Sequence, residues 1–255
     1  MNNGKTYEAL IERSRTRGGG FLLLIDPDRI PEQVYLGLAE QAADCGVDAL
    51  LVGTSFMLDT NFPLAVKAIK ERCDIPVIIF PGSYAQINPY ADALLFTSLI
   101  SGRNPVYLIE EQVKGAPLAK RCGIETIPTG YMLIESGPLT SVQYISGTLP
   151  IPRSKPDIAC AHALAAQYLG MKLVYLEAGS GAKESVPLEM VRQVSRFIEI
   201  PTIVGGGLRT AEDCARTIEA GASFVVVGTG IEQDPQNVYL RELTDATHQK
   251  ETSSV

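Results

Sequence analysis

The sequence predicts a single (β/α)8, or TIM, barrel: an α/β fold with an extra N-terminal helix and a missing or reduced third helix. Three observations predict it. Short apolar runs alternate with longer amphipathic segments from Phe21 onward. There are eight such runs, most of them rich in Val, Ile and Leu without clean alternation, as in strands covered on both faces. A chain of 255 residues is the usual size of one such barrel, and with no linker in view, residues 1–255 read as one domain.

The segment Thr6–Arg17 precedes the first strand. Tyr7, Leu10, Ile11 and Ser14 share a helical face, which suits a helix that plugs or flanks the barrel bottom. The strand runs then follow as Phe21–Asp26, Asp48–Gly53, Pro76–Phe80, Asp92–Thr97, Thr126–Glu135, Lys172–Glu177, Pro201–Gly205 and Ser223–Gly228. Helical stripes lie between them: Val34, Leu38, Ala42 and Cys45; Phe62, Ala65, Val66, Ile69 and Cys73; Met190, Val191, Val194, Phe197 and Ile198; Ala211, Cys214, Ala215 and Ile218. Thr210 and Asp213 form a capping box ahead of the last stripe. Gly46, Gly123, Gly170 and Gly221 stand at helix exits, where a left-handed residue is wanted.

Three segments depart from the repeat. Pro81–Ala91 is too short for a full helix with its loops. It leaves the flank near Tyr84, Ile87, Tyr90 and Leu99 uncovered, either as a groove for an apolar ligand or as surface that neighbouring helices or a partner subunit cover. Gly115 and Pro117 should break the next helix. Ser136–Lys155, rich in Ser, Pro and Gly, reads as a long active-site loop.

Composition narrows the function. A net charge of −7 disfavours a nucleic-acid partner. Five cysteines without a C-x-x-C pair and only two histidines, His162 and His248, disfavour a zinc site and read as core thiols of a cytoplasmic protein. No apolar run reaches the length of a membrane span, and the polar N-terminus lacks a signal-peptide core, so no stable membrane insertion is expected.

Sites in such barrels lie at the C-terminal ends of the strands. Gly205-Gly206-Gly207 and Gly228-Thr229-Gly230 follow the last two strands, where backbone N–H groups can cradle a phosphate; the alternative is a pair of tight turns. Tyr175-Leu176-Glu177-Ala178-Gly179-Ser180-Gly181 ends the sixth strand with a carboxylate beside another glycine turn. Glu177 is either a base whose pKa burial raises or a cap paired with a lysine such as Lys183. Asp26 and Asp28 follow the first strand and could hold a hard cation, although Asp28 suits a turn. Gly53-Thr54-Ser55 follows the second, with Ser55 a further ligand or a helix-entry hydroxyl.

These residues bring a family into view. The chain resembles geranylgeranylglyceryl phosphate synthase and its bacterial heptaprenylglyceryl phosphate synthase relatives from about Phe21 to Ile231. The matching strings are Leu24-Ile25-Asp26-Pro27-Asp28, Asp48–Ser55, Ser101-Gly102-Arg103-Asn104-Pro105, Ile127–Tyr131, Tyr175–Gly181, Val204–Gly207 and Val227–Gly230. The string Tyr175–Gly181 is the most specific of them.

The resemblance implies an enzyme that joins sn-glycerol 1-phosphate to a polyprenyl diphosphate through an ether bond and releases pyrophosphate. It implies glycerol phosphate binding by Tyr175–Gly181, Gly206, Gly207, Gly228 and Thr229, with Glu177 as the base. It places Asp26 and Ser55 at the Mg²⁺–diphosphate end, and it implies a homo-oligomer, dimer or hexamer. The heptaprenyl-type relatives carry lysine where Leu24 stands, so the chain is more similar to the geranylgeranyl branch. Two other readings are compatible with the glycine loops alone: another phosphate-binding barrel isomerase or synthase, and a non-catalytic binder of phosphorylated ligands.

Overall fold

The computed structural model of the protein describes residues 4–58, 61–228, 231 and 238–249. Eight parallel strands close into a barrel in sequence order. They are β1 (Gly20–Ile25), β2 (Ala49–Val52), β3 (Val77–Ile79), β4 (Ala93–Leu99), β5 (Glu125–Leu133), β6 (Leu173–Glu177), β7 (Thr202–Gly205) and β8 (Phe224–Val227). Closure pairs β1 with β8, Leu22 against Val226.

Side chains of successive strand residues point to opposite faces, so the barrel has two cores. Leu22, Leu51, Ile78, Leu95, Tyr131, Tyr175, Ile203 and Phe224 fill the interior. Leu23, Leu50, Val77, Leu94, Val174, Leu176, Val204 and Val225 pack outward against the helices. Both sets are apolar, which is why the sequence shows runs rather than alternation.

The helices are α1 (Lys5–Arg17), α2 (Glu32–Ala42), α3 (Phe62–Lys70), α4 (Glu111–Cys122), α5 (Ser141–Ser146), α6 (Pro156–Tyr168), α7 (Leu188–Phe197), α8 (Ala211–Glu219) and α9 (Val238–Thr247). Helix α1 closes the barrel bottom: Leu10 is buried with Leu22, Leu51, Ile78 and Phe224. Its first turn is held by Glu125, whose carboxylate accepts from the N–H groups of Thr6 (2.9 Å) and Tyr7 (3.0 Å). At the same end the buried Asp48 carboxylate accepts from Phe21 N at 2.8 Å and meets Arg17 Nη1 at 2.9 Å and His248 Nε2 at 3.0 Å. That cluster ties α1, β1, β2 and the residue after α9 together. The capping box on α8 forms, with Asp213 N–H donating to Thr210 Oγ1 at 3.0 Å and Thr210 N–H to Asp213 Oδ2 at 3.0 Å. The four helix-exit glycines all have positive φ.

Between β3 and β4 there is only a single 3-10 turn, Tyr84–Gln86, as the short segment requires. Three expectations differ from the structure. Helix α4 does not break. Pro117 forfeits one backbone bond, to the carbonyl of Val113, which lies on the solvent side of the helix. Gly115 serves close packing instead: a Cβ there would lie 2.9 Å from Ile87 Cδ1. The irregularity falls earlier, as a π-helical turn at Val106–Glu110. The stretch 136–155 is not a bare loop, since it carries α5 and a parallel bridge from Ile151 to Ile134. Phe197 lies at the end of α7, outside the buried stripe, and is exposed; Ile198 takes the buried position.

Candidate active site

A cavity of about 280 Å³ opens at the C-terminal end of the strands. Strand phase decides which residues reach it. Leu22 and Leu24 point inward along β1, so Asp26, two residues on, points into the mouth. Likewise Tyr175 and Glu177 face inward, while Leu176 and Ala178 pack into the outer core.

Glu177 is buried to 5% exposure. Its Oε1 accepts the Gly179 N–H at 2.5 Å. Burial raises its carboxyl above the usual value, opposed by the Gly179 N–H and the Tyr175 and Tyr131 hydroxyls. Both phenols are held well above the ordinary tyrosine value by burial and by the Glu177 charge. The Tyr175 hydroxyl lies beside that carboxylate yet completes no well-angled hydrogen bond to the protein.

The glycine loops make this arrangement possible. Tyr175 reaches the barrel axis because β7 ends in Gly205, where a Cβ would sit 2.3 Å from the tyrosine hydroxyl. Gly206 has φ +79°, and a Cβ there would meet Glu177 Oε1 at 2.6 Å and Gly179 O at 2.6 Å. Gly206, Gly207, Gly228, Ser180 and Gly181 all line the cavity. The Gly179 N–H does not, because Glu177 takes it. Thr229 lies outside the described residues. The Arg209 guanidinium spans the two loops by donating to Ala182 O at 2.7 Å.

Asp26 stands at another wall with Thr54 and Ser55. Its carboxylate pairs with Arg29 Nε at 3.1 Å and accepts from Asp28 N at 3.1 Å. Burial raises its pKa, against the opposing Arg29 charge, the Asp28 N–H and the Thr54 hydroxyl. Asp28 is a turn residue: its Oδ2 accepts from Leu58 N at 2.8 Å, which ties the first loop to the second. No group of three or more His, Cys, Asp or Glu side chains that could hold a metal occurs among the described residues.

The third wall is the flank left bare by the missing helix. Tyr84, Ile87, Phe96 and Leu99 line it, together with Val142 and Ile145 of α5. Tyr90 turns away to sit under the Lys67 ammonium, 5.8 Å from its ring centroid.

Sequence reasoning did not single out Phe80, Tyr131 or Arg209 as site residues. Phe80 follows β3, and its ring stacks on Tyr175 with centroids 5.2 Å apart. Tyr131 stands edge-on to both rings, at 5.7 Å from Phe80 and 5.4 Å from Tyr175. One signal was present: two parallel neighbours in register, Tyr131 and Tyr175, place aromatic rings in one interior layer where Val, Ile and Leu are usual.

Comparison with known proteins agrees with this geometry. Residues 11–247 match the PcrB family. The chain is 43% identical over 248 residues to "Geranylgeranylglyceryl phosphate synthase" of Chitinophaga pinensis, covering 97% of each. It is 47% identical over 231 residues to the protein of the same name from Pyrococcus horikoshii, covering 90% of each. Among solved structures, the (S)-3-O-geranylgeranylglyceryl phosphate synthase of Thermoplasma acidophilum, in complex with its substrate sn-glycerol-1-phosphate, superposes with TM-score 0.88. That protein is 38% identical and is covered to 98%, against 95% of this chain. Thiamine phosphate pyrophosphorylase from Pyrococcus furiosus, at 11% identity and TM-score 0.50, shares the fold alone.

Proposed function

The chain belongs to the PcrB family, and from that premise we propose that it joins sn-glycerol 1-phosphate to geranylgeranyl diphosphate through an ether bond, with release of pyrophosphate. One observation carries this reading. A single cavity joins a buried carboxylate beside glycine loops, a second carboxylate at another wall, and an apolar flank. An acceptor alcohol ester, a diphosphate and a hydrocarbon tail each find a matching wall.

In this reading the glycerol phosphate lies against Gly206, Gly207, Gly228 and Ser180, where backbone N–H groups meet the phosphate. Its free hydroxyl faces Glu177. Burial raises the pKa of that carboxylate, which makes its ionised form a stronger base for the alcohol proton. The closed barrel bottom, sealed by Leu10 and its neighbours, keeps water from reaching the allylic carbon from below.

A magnesium ion fits the Asp26 wall. The group is one desolvated carboxylate with hydroxyls nearby, and magnesium is commonly held by one or two carboxylates plus substrate phosphates and water. Asp26 and Ser55 would hold it, and it would supply neutralisation of the leaving diphosphate. Arg29 already stands at this wall and can turn its guanidinium toward the same anion.

The deciding experiment mixes purified protein, Mg²⁺, each glycerol phosphate enantiomer and a ladder of prenyl diphosphates, and follows pyrophosphate. Turnover with the sn-1 enantiomer and a geranylgeranyl donor is expected. Tight binding of both without turnover would overturn the reading. No described helix is long and apolar enough to cross a membrane. Light scattering on the same sample tests for the homo-oligomer that the resemblance implies.

Asp26→Asn is expected to raise the Mg²⁺ concentration for half-maximal rate and to lower kcat by about 10–100-fold. Asp28→Asn is expected to change neither by more than about twofold, since among the described residues that carboxylate holds a loop N–H and does not line the cavity. The reverse order in a magnesium titration would exchange the two roles.

The bare flank should set how KM depends on tail length. Burying one isoprene unit is worth at most about 4 kcal/mol at ~0.8 kcal/mol per carbon, less after ordering. KM should therefore fall from farnesyl to geranylgeranyl donor and then level off. Ile87 lines the cavity, so Ile87→Trp should move the plateau to shorter tails. Ala85 is exposed and does not line the cavity, so Ala85→Trp should be silent. A KM independent of tail length in all three proteins would show that the tail runs elsewhere.

A further inference from the structure

We propose that Phe80, with Tyr131 and Tyr175, forms an aromatic wall that stabilises the positive charge developing at the allylic carbon of the prenyl donor. The inference rests on the reaction proposed above. It begins from the three rings, whose centroids lie 5.2–5.7 Å apart at the barrel axis. In this layer most barrels need only branched aliphatic side chains to fill the space.

The position of the reacting carbon follows from the base. The alcohol proton must lie within hydrogen-bond reach of Glu177, about 3 Å. The alcohol oxygen must approach the carbon to about 3–3.5 Å. The carbon therefore lies within about 6–7 Å of the Glu177 carboxylate. The Tyr131 and Tyr175 hydroxyls sit at that carboxylate, and their rings run back from it to Phe80. A cation is attracted by an aromatic face within about 6 Å of the centroid, and more strongly when water is excluded. Tyr175 is fully buried and Tyr131 is 9% exposed. Phe80 lines the cavity while its ring stacks on Tyr175 and meets Tyr131 edge-on, and the proposal sets the donor against this cluster from the cavity side. Phe80 carries no polar group, so its contribution beyond volume is its π-face.

The step balances. The bond from the allylic carbon to the diphosphate oxygen breaks, and its electron pair leaves with pyrophosphate. The glycerol oxygen gives a lone pair to that carbon and forms the ether. Its proton passes to Glu177.

The test replaces Phe80 with mono-, di-, tri- and pentafluorinated phenylalanine, which keep the ring's shape while draining its negative face. The single-turnover rate should fall stepwise, by about 3–30-fold from phenylalanine to the pentafluoro ring, with KM for both substrates little changed. Phe80→Leu should lose about as much as the pentafluoro ring, and Phe80→Tyr should keep most of the rate. Affinity for a diphosphate analogue bearing an ammonium at the allylic position should weaken in parallel, while affinity for the uncharged-tail donor should not. A purely space-filling Phe80 would give a flat fluorine series and equal changes for both ligands, and that result overturns the proposal. If the unsubstituted protein releases no pyrophosphate from any substrate pair, the proposed reaction fails and the inference with it. If it turns over and the series is flat, only the inference fails.

Discussion

Glu177→Gln is expected to lower kcat by about 10²–10⁴-fold while glycerol phosphate still binds. The amide keeps the shape and can still accept from Gly179 N–H, but it cannot take the alcohol proton. Calorimetric titration of glycerol phosphate into the variant, beside its turnover, separates the two effects; near-wild-type kcat would remove Glu177 from the mechanism. The pH profile carries a second signature. Only the ionised carboxylate is a base, and burial raises its pKa, so the wild-type rate should climb with pH along a limb above the usual glutamate range.

Stability should run the opposite way. A native pKa raised above the unfolded value means that the folded chain binds the proton more tightly. The resulting stability is fully present below the unfolded glutamate pKa and is lost as pH rises through the raised native value. The glutamine variant lacks that loss. Its Tm should match or exceed that of the wild type, by a margin that opens across this window and holds at higher pH. A margin that shrinks with rising pH would contradict the raised pKa.

Gly206→Val is expected to reduce kcat/KM by about 10³-fold or more. The backbone there has φ +79°, which a β-branched residue resists. The added Cβ would also stand 2.6 Å from both Glu177 Oε1 and Gly179 O and 2.7 Å from Gly179 N. Two of those three atoms are backbone, so relief must move the turn that fixes the base. The loss should therefore appear in kcat as well as in KM for glycerol phosphate, with a lower Tm. Gly228 lacks a positive φ, and its nearest obstacle is Leu24 O at 2.9 Å. Gly228→Ala should chiefly raise KM for glycerol phosphate. Steady-state kinetics on the two variants would show the split; an effect of Gly206→Val on KM alone would assign that glycine to phosphate contact only.

The eight strands, the plugging helix and the shortened third crossover were legible in the sequence, because apolar periodicity and segment length are local properties of the chain. Asp26, Glu177 and the glycine turns were legible for a related reason. Each falls at the end of an apolar run, and in a parallel barrel those ends gather at one mouth. Local rules misled where packing overrode them. Gly115 and Pro117 argue for a broken helix, yet α4 stays whole: the one bond that Pro117 forfeits is to the carbonyl of Val113 on the solvent side, and Gly115 packs close to Ile87. The tertiary structure alone decided the rest. Phe80, Tyr131 and Tyr175 are 44 or more residues apart in sequence and meet only because three strands place them in one interior layer. Asp28, already a turn residue by sequence, lies past the end of β1, while Asp26 keeps the inward phase of Leu22 and Leu24 and lines the cavity; only the tertiary structure ties Asp28 to Leu58 N in the next loop. The raised pKa of Glu177 is likewise not fixed by its neighbours in the chain, for it arises from burial at the barrel axis, which strips away most of the water that would solvate the charge.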